Sequence, residues 1–417
     1  MEVVYPRCCG LDVHKKSISA CIVIREQGKP ERLERRFGTY TGQLEELAEW
    51  LEQHQVTNVA MEATGVYWKP VWNVLEGRFA LLLVNPQHIK ALSGKKFDRG
   101  DASHLADLLQ HGLLQGSFVP SAAIRQLRDL TRNRARTVQE TVRIHNRIHK
   151  ILEEANIKLG SVASDVLGVS GRMMLDQLVA GETDPVKLAD LALGKLRKKR
   201  EQLEQALAGK VTDHQRRMLD KLLRALRTRE AEIAEDEADI RRQIAPFAKA
   251  VQAWMQQPGI EEITAWSLVA EMGADMAPFD TAEQAASWSC VCPGNHQSAG
   301  KQSDGRTRKG NPWLRHTICE AAWGAARTKK SYFHAQYNRL CARRGPQRAL
   351  LAVAHSMIVV GFYLVKYDLL FKDLGADFFD RQHRERTRNR AVKRLNALGY
   401  NVTLQPRPTP EPSADRP

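Results

Sequence analysis

Cys8-Cys9-Gly10-Leu11-Asp12-Val13 is a short apolar segment that runs into an acid, and its reading decides the front of the chain. Basic and polar residues, His14-Lys15-Lys16, follow at once. A second apolar run, Val59-Ala60-Met61, ends on Glu62 and opens Glu62-Ala63-Thr64-Gly65-Val66-Tyr67-Trp68. Working outward, residues 7–13, 17–25, 32–37, 56–61 and 79–84 are short, apolar or alternating, and read as strands. Residues 43–54, with Leu44, Leu47 and Leu51 on one face, read as a helix, as do residues 101–111, with Leu105, Leu108 and Leu109. Three strands in meander, then strands alternating with helices, predict an α/β unit in the order of a ribonuclease H-like sheet.

Acids stand at the ends of two of these strands. Asp98 and Asp101 add a pair one helical turn apart in Phe97-Asp98-Arg99-Gly100-Asp101-Ala102. Taken singly, each reads as a solvated turn residue. Brought to one point as bare anions they would repel, and some would protonate. Two divalent cations resolve that conflict, and such sites drive in-line chemistry on phosphates.

A chain of 417 residues is too long for one compact core, so two or three domains are expected. Lys and Arg number 63 against 48 Asp and Glu, a net charge of +15. That surplus favours a polyanion, most simply nucleic acid. The N-terminus has neither the basic start nor the apolar run of a signal peptide. The longest apolar stretch, residues 349–365, is interrupted by His355, Ser356 and Gly361 and is short for a span. It reads as a buried core helix, and no membrane is expected. Seven cysteines without paired C-x-x-C spacing argue against structural zinc and a disulfide framework, and suit a reducing cytoplasm.

From residue 121 the pattern is helical. Ile124, Leu127, Val138, Val142, His145 and Leu152 mark an apolar stripe, while Arg125, Arg128, Arg132, Arg136, Arg143, Arg147 and Lys150 mark a basic one. With Asp129 and Glu140 the nearest acids, the basic stripe is either a solvated face or a helix that tracks phosphates. A second long helix starts at Thr212-Asp213, with a ridge at Met218, Leu222, Leu226, Ile233, Ile240 and Ile244. Its acidic stretch, residues 230–239, suits solvent or a partner helix. Together these form a helical-hairpin or coiled-coil arm. The expected division is 1–117, 118–248, 249–400, and a tail, 401–417, without packed structure.

In the third part, Pro258-Gly259-Ile260 resembles a helix-hairpin-helix turn, which aims backbone N–H groups at a phosphate. Glu261 stands where a second glycine is usual, so a structural turn remains open. Asn311-Pro312 starts a helix, as N-cap and first helical residue. Before it lies Ser298 in a glycine-rich loop bordered by Lys301, Arg306, Arg308, Lys309 and Arg315. A serine needs a base or metal to become a nucleophile. Clustered guanidinium groups hold a phosphate and stabilise the charge that develops on attack. Alone, Ser298 reads as a flexible polar residue.

Gly10-Leu11-Asp12-Val13-His14-Lys15, Glu62-Ala63-Thr64-Gly65, Asp98-Arg99-Gly100-Asp101, Pro258-Gly259-Ile260 and Gln297-Ser298 with Gly310-Asn311 and Leu314-Arg315 together resemble the DEDD transposases of the insertion-sequence one-ten family. The resemblance covers roughly residues 5–400. It implies a RuvC-like N-terminal domain, a coiled-coil arm and a mainly α C-terminal transposase domain. It implies Asp12, Glu62, Asp98 and Asp101 as a tetrad binding Mg²⁺ or Mn²⁺, and Ser298 as the nucleophile. It further implies donor and target DNA, a structured bridge RNA as guide, and a dimer or tetramer as the working form. Ala299 departs from the family's usual glycine, with Ser303 as a fallback nucleophile, and the segment from about Asp184 to Lys210, unusually basic at Lys195 and Arg197 to Arg200, reads as an elaboration of the arm with no assigned role. A hydrolytic, metal-dependent junction nuclease and a non-catalytic nucleic-acid-binding protein are the competing readings.

Overall fold

A computed structural model describes residues 2–25, 29–86, 89, 100–293, 296–298, 301–304, 307, 310–382 and 384–405. Asp98, Arg306, Arg308 and Lys309 lie outside the described residues, and the side chains of Ser298, Lys301 and Ser303 are not described. The chain divides into two compact units, Met1–Pro120 and Ser121–Pro417.

The first unit is a five-stranded sheet in the order β3-β2-β1-β4-β5. Its strands are β1 (Arg7–Val13), β2 (Ile18–Ile24), β3 (Glu31–Phe37), β4 (Asn58–Glu62) and β5 (Ala80–Val84). β1, β2 and β3 form an antiparallel meander, whereas β4 runs parallel to β1 and β5 parallel to β4. Each strand lies within two residues of its expected bounds. Helices α1 (Thr41–Gln53) and α2 (Trp68–Leu75) make the crossovers, and α3 (Asp101–Gln110) follows. The sequence reading missed α2, a short helix with Pro70 in its first turn.

Both faces of the sheet are covered. Cys9, Leu11, Val13 and Ile22 pack with Leu47, Leu51, Val71 and Leu75 of α1 and α2. Cys8, Cys21, Val23 and Ala60 pack with Ala102, Leu105 and Leu109 of α3. Burial on both sides is why β1 and β4 read as unbroken apolar runs. Gly10 makes the second face possible. A Cβ there would stand 2.2 Å from the Ala102 carbonyl oxygen and 2.5 Å from the Ala106 nitrogen. The bare backbone lets the first turn of α3 lie directly on β1.

The second unit is mainly helical. Its spine is α4 (Ala122–Glu154), which rises about 50 Å. After it come α5 (Leu159–Val162), α6 (Val169–Ala180), α7 (Pro185–Asp190), a 3₁₀ turn (Gly194–Lys199) and α8 (Arg200–Leu207). The return helix α9 (Asp213–Ile244) opens with a capping box between Thr212 and Gln215. Ile124 and Leu127 share a core with Ile240 and Ile244, while Ile148 and Leu152 share another with Leu219, Leu222 and Leu226. The two long helices are therefore antiparallel, and α5 to α8 form a cap on their far end.

The buried seam of α4 corrects the expected stripe. It runs through Ile124, Leu127, Thr131, Thr137, Thr141, Ile144, Ile148 and Leu152, whereas Val142 is 51% exposed. Threonines fit the seam because their hydroxyls bond back to the helix. Thr141 Oγ1 donates to the Thr137 carbonyl at 2.9 Å and Thr137 Oγ1 to that of Asn133 at 3.2 Å. On α9, Leu219 and Leu223 join the buried ridge and Ile233 is only partly buried.

The body contains α10 (Ala248–Met255), α11 (Glu262–Met272), α12 (Ala282–Trp288), the hairpin β6 (His296–Ser298) and β7 (Lys301–Asp304), α13 (Pro312–Arg327), α14 (Tyr332–Arg344) and α15 (Pro346–Tyr367). Two exposed helices, α16 (Phe378–Gln382) and α17 (Arg384–Ala397), follow. Its core, around Trp254, Trp266, Phe333 and Phe362, is continuous with the base of α4 and α9. α15 is long and apolar enough to cross a membrane, but Val353, Ala354, Met357 and Ile358 are buried in that core. A Cβ on Gly361 would stand 2.0 Å from the Trp254 ring, so glycine here lets the indole lie against the helix.

Candidate active site

Asp12 and Glu62 end adjacent parallel strands. The register pairs Leu11 with Met61, and one further step sets Asp12 beside Glu62, on strands about 4.8 Å apart. Side chains alternate along a strand, so Asp12 shares the face of Gly10, and Glu62 that of Ala60. Both are on the face that α3 covers. Asp101 stands in the first turn of α3, where the helix dipole favours an anion. Asp12 and Asp101 line one open cleft of about 320 Å³ with Ser19, Arg35, Arg36 and Ser103. The Asp12 side chain is 18% exposed, and His14 Nε2 is 3.0 Å from its Oδ2. Glu62 is half-buried.

Among the described residues, no three His, Cys, Asp or Glu side chains converge as a metal site. Asp98, the fourth acid of the expected tetrad, lies outside those residues. The cleft offers three carboxylates, Asp12, Asp101 and Glu34, and the first two are hard-oxygen ligands of the kind that hold a largely hydrated Mg²⁺ or Mn²⁺. Cations on the same walls escaped the sequence reading. Arg36 donates to Ser17 Oγ at 2.9 Å, and the Arg35 guanidinium lies 4.6 Å from the Phe37 ring centre. In the sequence residues 32–37 read only as a strand, and it is the pairing of β3 with β2 that brings Arg35 and Arg36 to the cleft of Asp12.

Ser298 is the last residue of β6 and the register partner of Lys301 on β7. Within the segment expected as a glycine-rich loop, residues 296–298 and 301–304 pair as antiparallel strands. Downstream, Asn311 caps α13 as expected, its Oδ1 accepting from the N–H groups of Trp313 and Leu314 at 3.1 and 3.3 Å. Arg315 lies half-buried in the first turn of that helix.

The basic stripe of α4 splits in two. Arg128 donates to the Ala270 and Glu271 carbonyls at 2.9 and 2.8 Å. Arg132 grips the Glu271 carboxylate in a fork, at 2.7 and 2.8 Å. Glu271 is only 2% exposed and also accepts from the Asn311 amide. Burial pulls the Arg128 guanidinium below its ordinary pKa, and Glu271 opposes that pull. Arg136 lies 5.3 Å from the Trp313 ring centre. Arg128 and Arg132 spend their charge on fastening α4 to α11, whereas Arg136 is exposed beside Trp313 of α13. Farther along, Arg143, Arg147 and Lys150 are exposed, and Arg125 is half-buried. The acidic stretch of α9 also meets α4, through Glu237 with Arg134 at 2.7 Å and Asp236 with Asn133 at 3.0 Å. Gly259, at φ +84°, abuts α13, where a Cβ would stand 2.4 Å from the Ala321 carbonyl oxygen. The turn serves close helix packing.

A family model described as a transposase, of the DEDD type of the IS110 family, matches residues 9–157. A second, described as transposase IS116/IS110/IS902 family, matches residues 251–338. The first match takes in the acid-bearing sheet, α3 and α4. The second takes in α10 to α13 with the β6–β7 hairpin. No curated protein matches the chain.

Proposed function

From a chain that carries both transposase domains of the IS110 family, and is therefore a DNA transposase, we propose a recombinase that cleaves and rejoins DNA through a serine ester, guided by a structured RNA. The observation that carries the reading is the cleft in which β1 and α3 bring Asp12 and Asp101 together beside Arg35 and Arg36. In this reading the sheet is RuvC-like, the α4–α9 hairpin is a coiled-coil arm, and the rest is the C-terminal transposase domain. Asp12, Glu62, Asp98 and Asp101 would hold Mg²⁺ or Mn²⁺, which supplies positive charge to a phosphate under in-line attack.

The protein's own groups divide the remaining work. The Ser298 oxygen attacks phosphorus, a serine–phosphate ester forms, and one DNA end leaves as a free hydroxyl carrying the proton. A hydroxyl from another strand reverses the step. The bond energy is kept in the ester, so joining needs no nucleotide cofactor. Lys301, Arg306, Arg308, Lys309 and Arg315 hold the scissile phosphate. Arg143, Arg147 and Lys150 neutralise phosphates of DNA or guide RNA along the arm. Ser298 lies far along the chain from the acids, and in this reading the two meet across a domain or subunit interface when a dimer or tetramer assembles on DNA.

Substitutions Asp12→Asn and Asp101→Asn test the reading through strand cleavage in Mg²⁺. Cleavage is expected to fall at least about a hundredfold, with DNA affinity retained. Full cleavage by both variants would sink it. Ser298→Ala separates the serine route from hydrolysis, because a hydrolytic nuclease would survive that change.

A further inference from the structure

The far end of the arm carries a charge cluster that the proposed chemistry does not use. Lys195, Arg197 and Lys198 stand exposed on the 3₁₀ turn Gly194–Lys199, and among the described residues none has an acidic partner. The neighbouring cations differ. Lys199 Nζ donates to the Val162 carbonyl at 2.9 Å, and Arg200 is paired with Asp190 at 2.8 Å and Glu204 at 3.0 Å. In a 3₁₀ turn, residues three apart eclipse one another about 6 Å apart along the axis. Lys195 and Lys198 therefore point the same way at a separation suited to neighbouring phosphates on one strand.

The turn borders an open cleft of about 620 Å³ whose lining includes Ser164, Gly168, Ser170, Lys195 and Lys199. Small residues there let a polymer backbone come close. Asp165 is on the same wall, with its Oδ1 accepting the Leu167 N–H at 3.0 Å. The cap that presents this surface is well anchored, with Leu159, Leu175, Leu188 and Leu203 in its core.

The geometry points to the cap as a second nucleic-acid contact, in which Lys195, Arg197 and Lys198 bind the phosphodiester backbone. A nucleic acid is the occupant because the enzyme acts on DNA and the patch is cationic and uncompensated. The inference needs only the transposase assignment and stands whether or not Ser298 is the nucleophile. Along α4, Leu127 in the body core and Leu152 in the cap core are about 38 Å apart. That span equals about eleven base pairs of duplex. The arm would thus contact nucleic acid about one helical turn away from the body.

The test compares the full-length chain with the triple variant Lys195→Gln, Arg197→Gln, Lys198→Gln. Equilibrium binding to duplex DNA and to a folded RNA is measured over a range of salt. Affinity for at least one is expected to fall about tenfold or more, and the slope of log K against log salt by about 2 to 3, near 0.9 for each phosphate no longer neutralised. Loss on DNA alone assigns the duplex, and loss on RNA alone assigns the RNA. A control triple, Lys210→Gln, Arg217→Gln, Lys221→Gln, removes equal charge from other exposed sites of the arm and is expected to bind as wild type. Lysine acylation of the wild-type protein gives a readout independent of the variant's folding, with Lys195 and Lys198 protected when nucleic acid is bound. Unchanged affinity and slope on both nucleic acids, or equal loss in the control, overturns the proposal. So does absence of protection, or loss seen only on anionic lipid vesicles.

Discussion

Asp12 and Glu271 are both carboxylates at the ends of regular elements, yet they stand in opposite environments. Asp12 opens on a cleft that two further acids, Asp101 and Glu34, also line. Glu271 is sealed at 2% exposure, with Arg132 at 2.7 Å and Arg128 at 3.4 Å. The contrast teaches how to read charge in this molecule. Acid that the fold has already matched with its own cations holds elements together. Acid gathered on an open cleft remains available to something the chain does not contain. The same division cuts α4 across its length, fastened at Arg128 and Arg132 and exposed at Arg143 and Arg147.

The sharpest way to break the contrast is Glu271→Ala. It strips the half-buried Arg132 of its carboxylate and leaves Arg128 only its main-chain carbonyl partners, and a loss of about 3 to 5 kcal/mol in urea unfolding is expected. A loss under about 1 kcal/mol would mean that Glu271 is no more structural than Asp12. Asp12→Asn, by contrast, is expected to leave the unfolding midpoint unchanged or raised, since it relieves a pair of acids. Next comes Gly361→Ala, which drives a methyl group into the Trp254 ring and is expected to cost about 1 to 3 kcal/mol. The smallest effect sharpens the division within α4. Arg147→Gln should leave stability unchanged and lower the salt slope of DNA binding by about 1, whereas Arg132→Gln should destabilise the fold. Equal stability losses at the two positions would erase the division.

The buried thiols follow the same logic of compensation. Burial pushes the Cys8 thiol up to about 12, with Asp107 adding to the shift, and Cys9 is raised as well. All seven cysteines are free.

How much of this was legible in the sequence depends on range. The strands of the first unit were readable because alternation and apolar runs are local signals. The N-caps Thr212 and Asn311 were readable for the same reason. The seam of α4 was misread because threonine counts as polar until its hydroxyl is seen bonded to its own helix. The Arg132–Glu271 pair joins residues 139 apart, and nothing in a basic stripe announces a distant buried acid. The cleft was legible in part. Asp12 and Asp101 could be named from their positions at element ends, but Arg35 and Arg36 reach that cleft only through the pairing of β3 with β2.

Recovery of the enzyme–DNA species formed in Mg²⁺, followed by protease digestion and mass mapping of the DNA-linked peptide, tests the central claim most directly. The account predicts a phosphate ester on Ser298, and no linked species from Ser298→Ala protein that still binds DNA. Attachment at another residue such as Ser303, or cleavage by the Ser298→Ala protein with no linked species, would contradict it.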